Sequence, residues 1–257
     1  MAQVVTLPRA EAEAPPAEVD WFVQTSAARD ILLTLETLQP GRVTMIAGPP
    51  GTGKTAAVRR FIEDKPDSYY HECVADEASA WTVSRSILAR SYGPHATFGS
   101  SVIELRRALV SLFGQCGWVI FDEAQDLDRK DRKTGAQGEA LGWLHAVAVE
   151  AGARLVFVGG LSLPEALSRW DRLAGKLCRP VVMDRPSAAD VGAYARHRGY
   201  RDEVVIAALA TAAARTGGLR VVRNVLDQAE RFAIGGTAGR EHVRAAFQRE
   251  LRMEMPT

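Results

Sequence analysis

The run GPPGTGKT at residues 48–55 sets three glycines, a lysine and a threonine in the order of a phosphate-binding turn. Gly48, Gly51 and Gly53 let the backbone curl so that successive N–H groups face one anion, with Pro49, Pro50 and Thr52 completing the turn. Lys54 would put a point charge on the β- and γ-phosphates of a nucleotide, and Thr55 would offer a hydroxyl to Mg²⁺. Ala56 continues the helix whose positive dipole end adds to the cradle. A second run, VIFDEAQDL at 119–127, ends an apolar stretch in two adjacent acids, Asp122 and Glu123. Alone, such a pair reads as a solvated loop start. In chain order after the lysine turn it reads differently: Asp122 would hold the water shell of Mg²⁺, and Glu123 would orient or deprotonate the attacking water of ATP hydrolysis.

These residues need elements to position them. The apolar run RVTMIAG at 42–48 is expected to be a strand leading into the turn, and KTAAVRRFIED a helix leading out of it. Further strands are expected at 68–74, 117–123 and 153–160, with a fifth at 180–186. Helices at 79–93, 101–115 and 138–152 alternate with them, which argues for a parallel α/β sheet. Ahead of the first strand, Ile31, Leu32, Leu35 and Leu38 recur at helical spacing. Beyond Pro186 every segment is helical in period, with glycines between, so residues 187–257 are expected to form a small all-helical domain after an α/β domain at 20–186. In open α/β sheets ligands sit outside the carboxyl ends of the strands, where both motifs fall. The helix–strand–helix unit between the motifs suggests the additional-strand type of ATPase, in which the glutamate beside the metal aspartate is the base.

Composition fits a globular chain: 47% hydrophobic and 25% charged, with no apolar run of the length a membrane span needs. Residues 1–19, rich in Ala, Glu and Pro, read as a disordered tail without the layout of a signal peptide, and a cytoplasmic location is expected. Cys73, Cys116 and Cys178 show no paired spacing and are expected as buried thiols. A net charge of +1 does not point to nucleic acid, and the arginine excess over five lysines fits genomic base composition as readily as phosphate recognition. His71, His145 and His197 lack the spacing of metal ligands, and Trp118, Trp143 and Trp170 are expected in the core.

GPPGTGKT, the strand ending in DEAQ and the helical C-terminal region with GGLR together resemble AAA+ ATPases. FVQTSAARDI at 22–31, FDEAQDL, and LVFVGG followed by LSRWDRLAGKL are similar to the DNA-transposition branch, the group of the phage Mu B protein and its TniB-, TnsC- and IstB-like relatives. The likeness covers roughly residues 20 to 235, and secretion ATPases of the ExeA type share DEAQ and the order of elements. It implies a helical lid, a homo-oligomeric ring or filament, and ATP-dependent binding of duplex DNA with little sequence preference. The DNA would be presented as target to a DDE-type transposase, whose strand transfer it stimulates. It also implies an arginine acting on the neighbouring subunit's ATP, for which Arg169, Arg172 and Arg179 are candidates and Arg179 is favoured. Arg220, in GGLRVVRN, fits the lid arginine that touches the γ-phosphate.

One position departs from the family. The fourth strand ends in Gly159 and Gly160, where relatives carry a polar residue that positions water; Ser162 is the nearest substitute, and otherwise hydrolysis is expected to be slow without DNA or a partner. Few residues precede the core, so no helix-turn-helix domain like that of the Mu B protein is expected, and the DNA grip falls to the ATPase ring. Arg85 and Arg90, with Lys130 and Lys133 in the mixed-charge run DLDRKDRK, are candidate phosphate contacts; a plain solvated loop is the alternative for that run. Two rival functions remain open: an ExeA-like secretion ATPase, and a nucleotide switch or loader acting on protein partners.

Overall fold

The computed structural model describes residues 22–130, 138–234 and 237–256. Five parallel strands form one sheet in the order β2-β3-β4-β1-β5. They are β1 (Val43–Ala47), β2 (Ser68–Glu72), β3 (Trp118–Asp122), β4 (Arg154–Gly159) and β5 (Val181–Val182). The chain divides into two compact units that do not follow chain order. The first holds Leu38–Met45 and Lys65–Arg179; the second holds Trp21–Thr37, Ile46–Asp64 and Pro180–Thr257. Strand β1 contributes its first three residues to one and its last two to the other.

In the first unit β2 and β3 pair from Ser68↔Trp118 to Glu72↔Asp122, and β3 pairs with β4 from Trp118↔Arg154 to Phe121↔Phe157. Val119, Ile120, Phe121, Val156, Phe157 and Val158 are fully buried, as a parallel sheet covered on both faces requires. Helices α3 (Ala80–Tyr92), α4 (Val102–Phe113) and α5 (Ala140–Ala151), then the short α6 (Leu163–Ser168) and α7 (Asp171–Ala174), join the strands. Ser79 and Ser101 cap α3 and α4, each accepting from the backbone N–H three residues on.

In the second unit α1 (Ser26–Thr37) and α2 (Lys54–Glu63) accompany four helices, α8 (Ala188–His197), α9 (Glu203–Arg215), α10 (Leu219–Phe232) and α11 (Arg240–Ala246). Val191, Leu209, Val222, Val225, Leu226, Val243 and Phe247 are the centre of the helical core. Ser187 caps α8 and Asp202 caps α9. Gly217 and Gly218, both at positive φ, turn the chain from α9 into α10.

Several expectations need correction. The fifth strand shrinks to Val181–Val182, directly after Pro180, which has no N–H for a ladder, and the chain reaches Pro186 four residues beyond it. The last helix ends at Ala246 in a π-helical turn over Phe247–Leu251, stopped by Arg252 in the left-handed region. The three tryptophans are only partly buried. Trp118 lies under the Arg154 guanidinium at 4.4 Å, Trp143 donates to the Ser84 hydroxyl at 3.0 Å, and the Trp170 ring lies against Gly142. Cys73 is buried, but Cys116 and Cys178 are only partly so. Among the described residues no helix is long and apolar enough to cross a membrane.

Candidate functional site

Strand β1 runs into Gly48, which is buried; a methyl group there would meet the Met183 Cβ at 3.1 Å. Gly51 (φ 77°) and Gly53 (φ 91°) take the positive φ that glycine adopts without strain. At Gly51 the constraint is also steric, since a methyl group would lie 1.8 Å from the Gly217 carbonyl oxygen. Its own carbonyl accepts the Leu219 N–H at 2.8 Å, and the Arg220 backbone N is close by. Thr52 is buried and donates its hydroxyl to the Pro49 carbonyl at 3.0 Å. The Lys54 ammonium donates to the Gly48 and Pro49 carbonyls at 2.8 and 2.9 Å, so the cation lies along the loop's own backbone. Helix α2 starts at Lys54 with Gly53 as its cap and no side-chain cap, which leaves its first N–H groups to an anion. Thr55 and Ala56 follow in its first turn, and Pro50 is exposed at the loop's crest.

Beside Thr52, within the same unit, lies a cleft of about 210 Å³ lined by Thr25, Ser26, Met183, Pro186, Asp190 and Leu219 among others. Asp190 builds one wall. It accepts from the Ser26 N–H and hydroxyl, both at 2.7 Å, and from the Ser187 hydroxyl at 2.8 Å. Burial works against its charge, but these hydrogen bonds outweigh it and hold the carboxyl below its ordinary value. Neither Ser26 nor Asp190 was a sequence candidate, because 164 residues separate them and no spacing rule joins them. The polar TS pair at the start of α1 is the one local signal, and it reads only as a helix cap.

In the first unit Asp122 closes β3 and is 2% exposed. Its carboxylate accepts the Tyr70 hydroxyl at 2.8 Å and the Glu123 N–H at 2.9 Å. Two donors on one buried carboxylate offset its desolvation and fix its direction. Glu123 is half-buried and left-handed (φ 53°, ψ 35°), an uncommon state for a residue with a side chain. One of its carboxylate oxygens accepts the Gln125 amide at 2.6 Å, and the Gln125 carbonyl accepts the Gly160 N–H at 2.9 Å. Gln125 thus reaches the end of β4, whereas Ser162 is exposed at the start of α6. One strand away, His71 donates Nε2–H to Glu77 at 2.9 Å, both side chains being buried. Burial opposes the charge on Glu77, but hydrogen bonds led by that from His71 hold its carboxyl below the ordinary value.

The arginine candidates separate. Arg169 is engaged with Asp128 and Glu165. Arg172 in α7 is exposed. Arg179 is exposed at φ 46°, its backbone pinned where the Thr44 hydroxyl donates to its carbonyl at 3.2 Å. Arg220 is exposed in the first turn of α10. Of the DNA candidates, Arg85 is exposed above the Trp81 ring at 5.6 Å, Arg90 is exposed near the Glu72 carbonyl, and Lys130 is exposed. Lys133, like the expected tail at 1–19, lies outside the described residues.

The family model of the AAA domain matches residues 37–167, and that of the Mu B transposition protein, C terminal, matches residues 175–251. A search of curated proteins finds no match. The fold resembles that of Aeropyrum pernix ORC2 in its ADPNP–ADP complexes, with a TM-score of 0.63, 17% identity, and coverage of 92% of this chain and 70% of that one. It also resembles Cdc6p of Pyrobaculum aerophilum, with a TM-score of 0.63, 19% identity, and coverage of 91% and 69%. Aeropyrum pernix ORC1 in complex with DNA is similar at a TM-score of 0.60 and 22% identity, over 87% of this chain and 64% of that chain. At such identities the likeness is one of fold, and the match over residues 37–167 carries the family: the chain belongs to the AAA domain family, an AAA+ ATPase whose residues 175–251 match the Mu B C-terminal model.

Proposed function

We propose that this ATPase, in an ATP-bound homo-oligomer, binds duplex DNA with little sequence preference and presents it to a DDE-type transposase, whose strand transfer it stimulates. One observation supports the reading above the others. The phosphate loop is hydrogen-bonded, through the Gly51 carbonyl, to Leu219, which lies inside the region matching the Mu B C-terminal model. The state of the loop is therefore mechanically tied to the part of the chain that carries the transposition likeness. That ORC1 was determined on DNA is in keeping with the same reading.

Each residue then has a role. The backbone N–H groups of Gly48 to Thr55 and the start of α2 cradle the β- and γ-phosphates, and Lys54 moves from the loop carbonyls onto phosphate oxygen. The cleft bounded by Ser26, Met183, Asp190 and Leu219 receives the base and ribose. The Thr55 hydroxyl and the Asp122 carboxylate are all-oxygen donors that fit a hard cation, and they would hold magnesium, which neutralises charge on the phosphate oxygens. Tyr70 keeps the Asp122 carboxylate aimed. Glu123 takes the proton of the attacking water. Arg179, with Arg172 as the second choice, acts on the ATP of a neighbouring subunit, and Arg220 touches the γ-phosphate from the helical region.

The test is binding of a random-sequence duplex to the full chain with and without ATP and magnesium, across a salt series. The reading expects binding only with ATP, and an affinity that falls steeply as salt releases counterions, about tenfold per contact for each tenfold rise in salt. Equal binding without nucleotide, or none under any condition, would leave a partner-directed switch or a secretion ATPase as the better account.

A further inference from the structure

The strand ends hold a tether that the ATPase assignment does not use. Gln125, two residues beyond Glu123 in the 3₁₀ turn Ala124–Asp128, spans from the Glu123 carboxylate (2.6 Å) to the Gly160 N–H at the end of β4 (2.9 Å). The orientation of its amide is not arbitrary. A backbone N–H can only donate, so the Gln125 atom facing Gly160 must be the carbonyl oxygen, and the NH₂ must then face the carboxylate. Space confirms the fit: a methyl group at Gly159 would lie 2.2 Å from the Gln125 carbonyl oxygen. The missing side chain at the end of β4 is the room that the amide occupies. Gly159 is not at positive φ, so backbone strain does not explain glycine there.

From this we infer that Gln125 is the positioning residue of the hydrolytic step, holding the Glu123 carboxylate at one place relative to the end of β4. The inference rests on the reading of Glu123 as the base. Glu123 sits in a sparsely populated backbone state, and such states persist where the surroundings over-determine them. Three bonds do so here: Glu123 N–H to Asp122, Asp126 N–H to the Glu123 carbonyl, and the Gln125 amide to its side chain. Only the third fixes the reacting group itself. The 3₁₀ turn is held to the segment after β4 a second time, by Asp128 paired with Arg169, so the whole turn moves with that segment.

The experiment measures steady-state ATP hydrolysis and ATP affinity of the full chain with magnesium and duplex DNA in four variants. Gln125→Met keeps the length of the side chain and deletes the amide. Gly159→Ala leaves Gln125 in place and expels its amide. Both are expected to lower kcat roughly 10-fold or more with ATP affinity within about twofold of the native protein, since misplacing a reacting group by about an ångström costs on the order of 100-fold. The double variant is expected to lose no more than the worse single one, because both remove the same contact. Glu123→Gln is the reference and is expected to lose about 100-fold or more. If Glu123→Gln fails to lower kcat, the base assignment falls and the inference with it. If it does lower kcat while Gln125→Met turns over at or above the native rate, the inference alone is overturned. Fully additive losses from Gly159→Ala and Gln125→Met would overturn it too, since the two would then act by separate means.

Discussion

Gly51 has space for no side chain, because the Gly217 carbonyl and a φ of 77° both exclude one. Gly51→Ala is therefore expected to weaken ATP binding and lower the melting temperature together, and calorimetry with ATP alongside a thermal melt would show both. Lys54→Ala is expected to leave the melting temperature nearly unchanged, since the half-buried ammonium donates to carbonyls of its own loop, but to weaken ATP binding roughly 10- to 100-fold. Unchanged affinity would show that the phosphates do not reach this loop. At this scale the sequence revealed what is local and little else. Glycines, lysine and threonine at fixed spacing announce a phosphate turn because its backbone is built from neighbours. Ser26 with Asp190, and Gln125 with Gly160, were hidden because each pair meets only through the fold. Gln125 stood inside the motif without a role of its own, since nothing local showed what its amide would meet.

Among the elements, the strands were the most legible. β1, β3 and β4 fall inside the apolar runs expected of them, trimmed by about one residue at each end, because a strand buried on both faces must be continuously apolar. The short β5 and the π-helical end were not legible, since prolines and one left-handed residue set them rather than periodicity. Between β2 and the turn that follows it, the buried His71–Glu77 pair gives an acid-sensitive contact. The folded carboxyl of Glu77 lies below its ordinary value of 4.5, so the pair stabilises the protein above that pH and the benefit is lost as pH falls through the lowered value. Glu77→Gln is expected to cost about 1–3 kcal/mol at pH 7 and to flatten the loss of stability in acid, as urea unfolding at pH 7 and pH 4 would measure. Ser187→Ala removes the cap of α8 and one donor to Asp190, and is expected to cost about 1 kcal/mol in the same unfolding experiment. No change in either variant would mean that these polar contacts add nothing beyond packing.

For the molecule as a whole, the test of an ATP site completed by a neighbour is subunit mixing. Glu123→Gln and Arg179→Ala proteins, each poorly active alone, are expected to recover part of the native hydrolysis when mixed, because an intact Arg179 from one can serve an intact Glu123 in the other. A mixture no more active than its parts would show that Arg179 acts within its own chain or not at all. The division of the chain bears on a different matter. Contact groups the phosphate loop and α1 with the C-terminal helices, and Gly51–Leu219 and Ser26–Asp190 are the seams. The helices after Pro186 are thus no interchangeable cassette. A hybrid joined at that proline, with the tail of a distant relative grafted on, would mismatch both seams, whereas one that imports residues 22–37 and 46–64 along with the tail would carry its partners with it. Recombination within such a lineage would leave a mark: the opening helix and phosphate turn should share their ancestry with the far end of the chain rather than with the strands between.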